Sequence, residues 1–126
     1  MKSRVLVVDD ERSVRRQIAR ILERDYEVKT TDSARVALDL ILSGERFAVI
    51  FCDVVMPEMD GLSFRLALSA VSSEQANQIV FLTGHVESDR ARGILNVLPN
   101  VLLEKPYYPG TIHDIARAYV RRSNRA

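Results

Sequence analysis

The stretch FCDVVMPEMDG, residues 51 to 61, contains the residues that decide how this sequence is interpreted. An apolar run ends on a carboxylate, Asp53, and Pro57, Asp60 and Gly61 then crowd into a short loop. A lone aspartate in such a place most often forms a turn or caps a helix. The role of Asp53 therefore depends on which other residues the fold brings beside it.

Short apolar runs recur along the chain and predict the strands of a sheet. Runs rich in Val, Ile, Leu and Phe are typical of strands buried on both faces of a parallel sheet. A more polar run, by contrast, predicts a strand at the edge of the sheet. The predicted strands are VLVV (5–8), the more polar YEVKT (26–30), FAVIFC (47–52), IVFL (79–82) and VLL (101–103).

Segments with helical periodicity lie between these runs. Asp32 or Ser33 is expected to cap the second helix, and Asp60 the helix that follows it. Five strands alternating with five helices through short connections predict an α/β fold with a doubly wound parallel sheet. The apolar positions of the five helices, in chain order, are Val14, Ile18, Ile21 and Leu22; Ala34, Ala37, Leu38 and Ile41; Leu62, Phe64, Leu66 and Leu68; Ile94, Leu95 and Leu98; and Ile112, Ile115, Ala116 and Tyr119.

Length and composition limit the classes of function. A chain of 126 residues, 47% of them hydrophobic, is expected to form one domain over residues 1–126. The formal charge of +1 provides no overall field for binding nucleic acid or a membrane. No apolar run is long enough to span a membrane and no signal peptide precedes the first acids, which predicts a cytoplasmic protein. The single cysteine, Cys52, excludes an internal disulfide and is expected to be a buried thiol.

Acidic residues follow two of the predicted strands. In an open parallel sheet, ligands bind beyond the carboxyl ends of the strands, where Asp9 and Asp10 end the first strand and Asp53 ends the third. If these strands are neighbours, three carboxylates converge and repel one another unless a cation lies among them. Hard oxygen ligands suit a divalent ion such as Mg²⁺, so the sequence predicts a metal site here.

Two further polar side chains are expected at the same edge. Thr83 ends the fourth strand and provides a hydroxyl, and Lys105 follows the fifth and provides an ammonium group. Three acids, a hydroxyl, an ammonium and a metal suit a phosphoryl group better than acyl or redox chemistry, because phosphoryl transfer depends on positioning and charge neutralisation.

The motifs, taken together, resemble the receiver domain of two-component response regulators. They are DDE at 9–11, D-x-x-M-P-x-M-D-G at 53–61, T-G at 83–84 and K-P at 105–106. They occur in the family's order and approximate spacing, and the resemblance extends from residue 4 to about residue 120. It implies a flavodoxin-like sheet in the order 2-1-3-4-5 and a cis bond between Lys105 and Pro106.

The resemblance also implies roles for individual residues. The domain would be a switch that accepts a phosphoryl group from a histidine kinase or a histidine phosphotransfer protein. It would catalyse its own phosphorylation and dephosphorylation and turn over no diffusible substrate, so it would not be an enzyme in the formal sense. The implied roles are Asp53 as phosphoacceptor, Asp9, Asp10, Asp53 and the Val55 carbonyl as ligands of Mg²⁺ or Mn²⁺, Thr83 as a hydroxyl that turns toward the phosphoryl group, and Lys105 as its ion-pair partner.

Two departures from the family pattern concern signal output. Leu102 stands where the family usually has an aromatic residue, and Gly84 where alanine is more usual. We therefore expect phosphorylation to act by drawing Thr83 and the loop at Gly84 and His85 inward. This motion would change a surface formed by the predicted fourth helix, fifth strand and fifth helix, where a downstream protein or a second copy of the chain would bind. Expected contributors to that surface are Arg90, Arg92, Tyr108 and Arg117.

Two other classes of protein remain as alternatives. A non-phosphorylated interaction module of the same fold would be expected to lack one or more of Asp10, Asp53, Thr83 and Lys105, all of which are present. A small phosphohydrolase with an aspartyl phosphate would need a second acid two residues after Asp53, where Val55 stands. The sequence also leaves open whether this is a stand-alone regulator or a receiver from a longer protein.

Overall fold

Strands and helices alternate along the chain in a computed structural model that describes the backbone of residues 2–84 and 89–124, and the side chains of residues 2–84 and 92–124. The elements, in order, are β1 (Arg4–Val8), α1 (Arg12–Leu22), β2 (Glu27–Thr31), α2 (Ala34–Leu42), β3 (Val49–Asp53), α3 (Gly61–Val71), α4 (Ser73–Asn77), β4 (Ile79–Thr83), α5 (Asp89–Val97), β5 (Leu102–Glu104) and α6 (Pro109–Asn124).

The strands form one parallel sheet in the order β2-β1-β3-β4-β5, which confirms the predicted topology. The polar strand β2 lies at the edge, as its composition indicated. In the pairing of β1 with β3, Val8 lies opposite Cys52. The residues that come next, Asp9 and Asp53, therefore occupy equivalent positions at the carboxyl edge of the sheet.

The two faces of the sheet carry two separate hydrophobic clusters. In β1, Val5 and Val7 face the cluster that includes α1 and α6, whereas Leu6 and Val8 face the cluster that includes α2, α3 and α5. The alternation follows from the two-residue period of a strand. Burial on both faces explains why β1, β3 and β4 are almost entirely apolar.

Most of the predicted apolar positions of the helices are buried or half-buried, with two exceptions: Ile94 of α5 is 40% exposed, and the clearer error lies in α3. In α3, Phe64 and Leu68 are fully buried, but Leu66 is 74% exposed. Residues four apart share a helix face, and a residue midway between them points away from it. The predicted caps are confirmed: the Ser33 hydroxyl accepts from the Val36 N–H at 3.3 Å, and an Asp60 carboxylate oxygen accepts from the Ser63 N–H at 2.8 Å.

The prediction of five helices was wrong, because the described residues contain a sixth, the short helix α4. This helix is only five residues long and mostly polar, so it has no apolar stripe to mark it in the sequence. Tertiary hydrogen bonds hold it in place. The buried Gln75 accepts from the Phe47 N–H and donates to the Phe47 carbonyl, both at 2.9 Å, and Asn100 donates to the Ala76 carbonyl at 2.9 Å.

Replacing Gln75 by alanine is expected to destabilise the protein by about 2 kcal/mol. The substitution leaves the buried N–H and carbonyl of Phe47 without partners, and such groups carry their full desolvation cost. Urea unfolding followed by circular dichroism measures the effect. The exposed neighbour Ser73 serves as a control, since Ser73→Ala is expected to change the free energy of unfolding by less than about 0.5 kcal/mol. Equal effects of the two substitutions would show that Gln75 does not anchor α4.

Two smaller expectations can be compared with the structure. Cys52 is completely buried in β3, which confirms the prediction of a buried thiol. Among the described helices, none combines the length and the apolar composition that crossing a membrane requires.

Candidate functional site

Three carboxylates meet at the carboxyl edge of the sheet. Asp9 and Asp10 follow β1 and Asp53 ends the adjacent strand β3, and one oxygen from each residue lies within 4.8 Å of the others. Asp9 is fully buried and Asp53 is 8% exposed, whereas Asp10 lies at the surface. The adjacency of β1 and β3 thus brings together the acids that the sequence predicted would converge.

Backbone N–H groups orient two of these acids. One oxygen of Asp9 accepts from the Glu11 N–H at 2.9 Å, and one oxygen of Asp53 accepts from the Val55 N–H at 3.2 Å. The second oxygen of Asp9 is buried and has no hydrogen-bond partner among the described protein atoms. A buried carboxylate oxygen without a donor is costly. A positively charged group beside that oxygen would offset this cost.

Burial and mutual repulsion disfavour the charged form of these acids. Burial, followed by the charge of Asp9, raises the pKa of Asp53 to about 6, while the Val55 N–H and the charge of Lys105 act in the opposite direction. Burial is also the main reason why the pKa of Asp9 is raised. At neutral pH both carboxylates are ionised only at a cost in free energy.

Thr83 and Lys105 lie at the same edge, as the sequence predicted. Thr83 ends β4, its carbonyl accepts from the Lys105 N–H at 2.9 Å, and its hydroxyl is buried with no partner in the described part of the chain. The Lys105 ammonium lies 3.3 Å from a carboxylate oxygen of Glu11. This ion pair was not predicted from the sequence, where Glu11 is only the last residue of the DDE motif.

The loop between β3 and α3 holds Asp53 in place through Gly61. A methyl group added at Gly61 would lie 2.6 Å from the carbonyl oxygen of Asp53 and 3.0 Å from the Val54 Cα. The Gly61 N–H also donates to the Val54 carbonyl at 2.9 Å. Within the same loop Glu58 has a φ of 68°, a conformation that favours glycine. Such close packing explains the need for glycine at position 61.

The donor set fits a divalent cation such as Mg²⁺. Three carboxylates supply hard oxygen ligands, and the partnerless oxygen of Asp9 is a group that a cation would satisfy. Receiver domains, the class that the sequence resembles, bind Mg²⁺ through an acidic pocket of this kind. The carboxylates that would hold the ion are those of Asp9, Asp10 and Asp53.

Leu102 and Gly84, the two departures from the family pattern, lie within the described residues. Leu102 is half-buried and packs against the cluster that includes α3 and α5. An added methyl group at Gly84 would lie 3.4 Å from the Lys105 Cδ, so Gly84 borders the stem of that lysine. The bond between Lys105 and Pro106 is cis, as expected. The loop at His85 and the side chain of Arg90 lie outside the described residues.

The fold and the pocket together define a flavodoxin-like α/β domain with an acidic centre at the carboxyl edge of its sheet, beside the switch in strand order between β1 and β3. This is the place where open parallel sheets bind their ligands.

Comparison with known proteins identifies the family. The model of the response regulator receiver domain matches residues 5–117. The chain is 35% identical over 124 residues to the response regulator MprA of Mycolicibacterium vanbaalenii, an alignment that covers 98% of this chain and 52% of MprA. It is also similar to the solved structure of the chemotaxis protein CheY4 of Vibrio cholerae, with a TM-score of 0.80, 31% identity and coverage of 94% and 99% of the two chains. A receiver domain protein from Clostridium thermocellum matches with a TM-score of 0.81, 25% identity and 97% coverage of both chains.

The chain therefore belongs to the response regulator receiver domain family, whose members are phosphoacceptor signalling modules of two-component systems. It spans about half the length of relatives such as MprA.

Proposed function

We propose that Asp53 accepts a phosphoryl group from a phosphohistidine and that the resulting aspartyl phosphate switches the domain between two signalling states. One observation carries the proposal: Asp53 ends β3 inside a pocket where Asp9 and Asp10 converge with it, and where Thr83 and Lys105 stand at the same edge. A carboxylate in this setting has the partners that phosphoryl transfer requires.

The transfer is an in-line displacement at phosphorus. A carboxylate oxygen of Asp53 forms a bond to phosphorus while the P–N bond to the donor imidazole breaks, and the electron pair leaves with the imidazole nitrogen. With acetyl phosphate as donor, a P–O bond breaks and acetate leaves. Attack of water on the aspartyl phosphate breaks the new bond and restores Asp53, so the domain also resets itself.

The side chains around Asp53 orient and neutralise the phosphoryl group. Asp9, Asp10, Asp53 and the carbonyl of Val55 would hold Mg²⁺ or Mn²⁺, and the ion supplies positive charge that offsets the charge of the phosphoryl oxygens. The Lys105 ammonium forms an ion pair with the same oxygens, and the Thr83 hydroxyl donates a hydrogen bond to them. These interactions would give partners to the Thr83 hydroxyl and to the second oxygen of Asp9.

The partners follow from this chemistry. The donor is a histidine kinase or a histidine phosphotransfer protein, and residues 1–126 act as a single receiver domain. Movement of Thr83 changes the surface formed by α5, β5 and α6, where a downstream protein or a second copy binds. On this surface Tyr108 is 66% exposed and Arg92 lies 3.9 Å from Glu104. Arg117 of α6 is a further contributor.

Labelling of the wild-type protein tests the proposal. Incubation with acetyl phosphate and Mg²⁺ is expected to add one phosphate that is stable to acid and labile to base. Borohydride reduction then converts the modified aspartate to homoserine, and peptide mass spectrometry is expected to find it at position 53. Omission of the divalent ion is expected to prevent labelling. A protein that remains unlabelled with all components present would instead be a non-phosphorylated interaction module of the same fold.

A further inference from the structure

Three buried polar side-chain atoms lack a hydrogen-bond partner among the described residues: an oxygen of Asp9, the hydroxyl of Thr83 and the hydroxyl of Tyr107. The first two belong to the phosphoryl site proposed above. The third belongs to a residue that the proposed transfer does not use. Because burying a hydroxyl without a partner is costly, the position of the Tyr107 phenol needs an explanation of its own.

Tyr107 borders the site from the side of α1. It packs against the cluster formed by α1, α6 and one face of the sheet, and it lines a cleft of about 510 Å³ together with Glu11 and Lys105. Burial, followed by the negative charges of Asp53, Asp9 and Glu11, raises the pKa of its hydroxyl. At physiological pH the phenol is therefore a protonated donor that lies close to carboxylates.

Glu11 and Lys105 form an ion pair that competes with the proposed role of Lys105. The ammonium lies 3.3 Å from a carboxylate oxygen of Glu11, and both side chains line the same cleft as Tyr107. When Lys105 turns toward a phosphoryl group on Asp53, Glu11 loses its cationic partner. The Lys105 and Glu11 side chains are 33% and 54% exposed, so water screens part of their attraction, and the remainder draws the ammonium back toward Glu11.

We infer that Tyr107 is a positioning residue for Lys105: its hydroxyl donates a hydrogen bond to Glu11 when Lys105 leaves Glu11 for the phosphoryl group. The inference rests on the proposed function, because it assumes phosphorylation of Asp53. It adds a defined exchange of partners to that reaction. Glu11 accepts from Lys105 before the transfer and from Tyr107 during it, so the lysine moves without leaving a carboxylate unpaired.

This exchange accounts for the partnerless phenol. Lys105 is paired with Glu11, and the Tyr107 hydroxyl has no acceptor among the residues that the structure describes. Hydrogen bonds to charged groups are stronger than those between neutral groups. The hydrogen bond from Tyr107 to Glu11 therefore offsets part of the free energy that is lost when Lys105 leaves its ion pair with Glu11.

Three variants test the exchange through the initial rate of phosphorylation by acetyl phosphate with Mg²⁺. Tyr107→Phe removes only the hydroxyl and is expected to lower the rate about tenfold, the lower end of the size expected for loss of a hydrogen bond to a charged group, because the Glu11 side chain is partly exposed. Glu11→Gln frees Lys105 from its competing partner and is expected to react at least as fast as wild type. The double variant is expected to match Glu11→Gln, because loss of the hydroxyl at position 107 has no further effect once the Glu11 carboxylate is gone.

The matched control is Tyr26→Phe, which removes the hydroxyl of another half-buried tyrosine that packs against the same hydrophobic cluster and is expected to leave the rate unchanged. Rescue of Tyr107→Phe by Glu11→Gln separates positioning from a loss of packing, because a damaged core would persist in the double variant. A double variant as slow as Tyr107→Phe overturns the exchange, and so does a Tyr107→Phe variant as fast as wild type. An unlabelled wild type would instead overturn the proposed function, and the inference with it.

A spectroscopic measurement follows the phenol directly. In protein labelled with ¹³C at tyrosine Cζ, the resonance missing from Tyr107→Phe belongs to Tyr107. Phosphorylation is expected to shift this resonance further in wild type than in Glu11→Gln, because only wild type gains the hydrogen bond to the Glu11 carboxylate. A shift of equal size in both proteins would show that Glu11 is not the acceptor.

Discussion

Asp53→Asn is expected to abolish phosphorylation and at the same time to make the metal-free protein more stable at neutral pH. Asparagine has nearly the shape of aspartate, and its side-chain oxygen can still accept the Val55 N–H. It lacks the nucleophilic carboxylate, so no aspartyl phosphate forms at position 53. It also removes one of three charges that repel one another in the pocket.

The pH dependence of this stabilisation follows from the raised pKa of Asp53. The folded-state pKa is about 6, above the ordinary value of 3.8. Between these values the folded protein retains a proton that the unfolded chain has lost, so its stability falls as the pH rises and the loss is complete above the folded pKa. Each pKa unit corresponds to about 1.4 kcal/mol, so the shift from 3.8 to about 6 corresponds to about 3 kcal/mol, and we expect Asp53→Asn to gain up to about this much over wild type at pH 7.5 and far less at pH 4.

Urea unfolding in the presence of a chelator, at both pH values, measures this difference. Asp60→Asn is the matched control, because asparagine caps a helix as well as aspartate does and Asp60 is exposed. Asp60→Asn is expected to be phosphorylated as wild type is, and its free energy of unfolding is expected to differ little from wild type at either pH. A phosphate retained by Asp53→Asn would mean that another residue is the acceptor. An equal gain in the free energy of unfolding at pH 4 and pH 7.5 would show that the charge of Asp53 is not what destabilises the wild-type protein.

The sequence predicted the sheet well because burial on two faces leaves a strong signal. The strands β1, β3 and β4 are apolar almost throughout, and acids or a threonine mark the points where they end. Helix α4 escaped prediction because the interactions that hold it are tertiary. Gln75 reaches the backbone of Phe47, 28 residues away along the chain, and a polar five-residue segment shows no periodicity.

In the candidate site, too, the features with a local sequence signal were predicted and those that depend on tertiary contacts were not. Asp9, Asp10 and Asp53 were expected to converge because parallel strands place their carboxyl ends at one edge, and the sheet order brings them together. The ion pair between Glu11 and Lys105 joins residues 94 positions apart and depends on side-chain conformation. Neither motifs nor periodicity encode such a contact. The burial of the Tyr107 hydroxyl is likewise a result of packing.

Gly61→Ala is expected to destabilise the protein by about 3 kcal/mol, at the upper end of the usual cost of overpacking. The new methyl group would lie 2.6 Å from the Asp53 carbonyl oxygen and 3.0 Å from the Val54 Cα, and both are backbone atoms that cannot rotate away. Relief of the clash requires α3 or the end of β3 to shift. Either shift moves Asp53 relative to Asp9, so we also expect slower phosphorylation in the fraction that remains folded.

Gly110→Ala, in the first turn of α6, provides the comparison for this prediction. A methyl group there meets no atom within 4 Å, and alanine favours a helix over glycine, so we expect a neutral effect or a gain of up to about 1 kcal/mol. Urea unfolding gives the free energies, and the rate of labelling by acetyl phosphate, corrected for the folded fraction, reports on the site. If Gly61→Ala were as stable and as reactive as Gly110→Ala, the contact between α3 and the end of β3 would not determine the position of Asp53. The Val55 N–H and the neighbouring acids alone would then hold Asp53 in place.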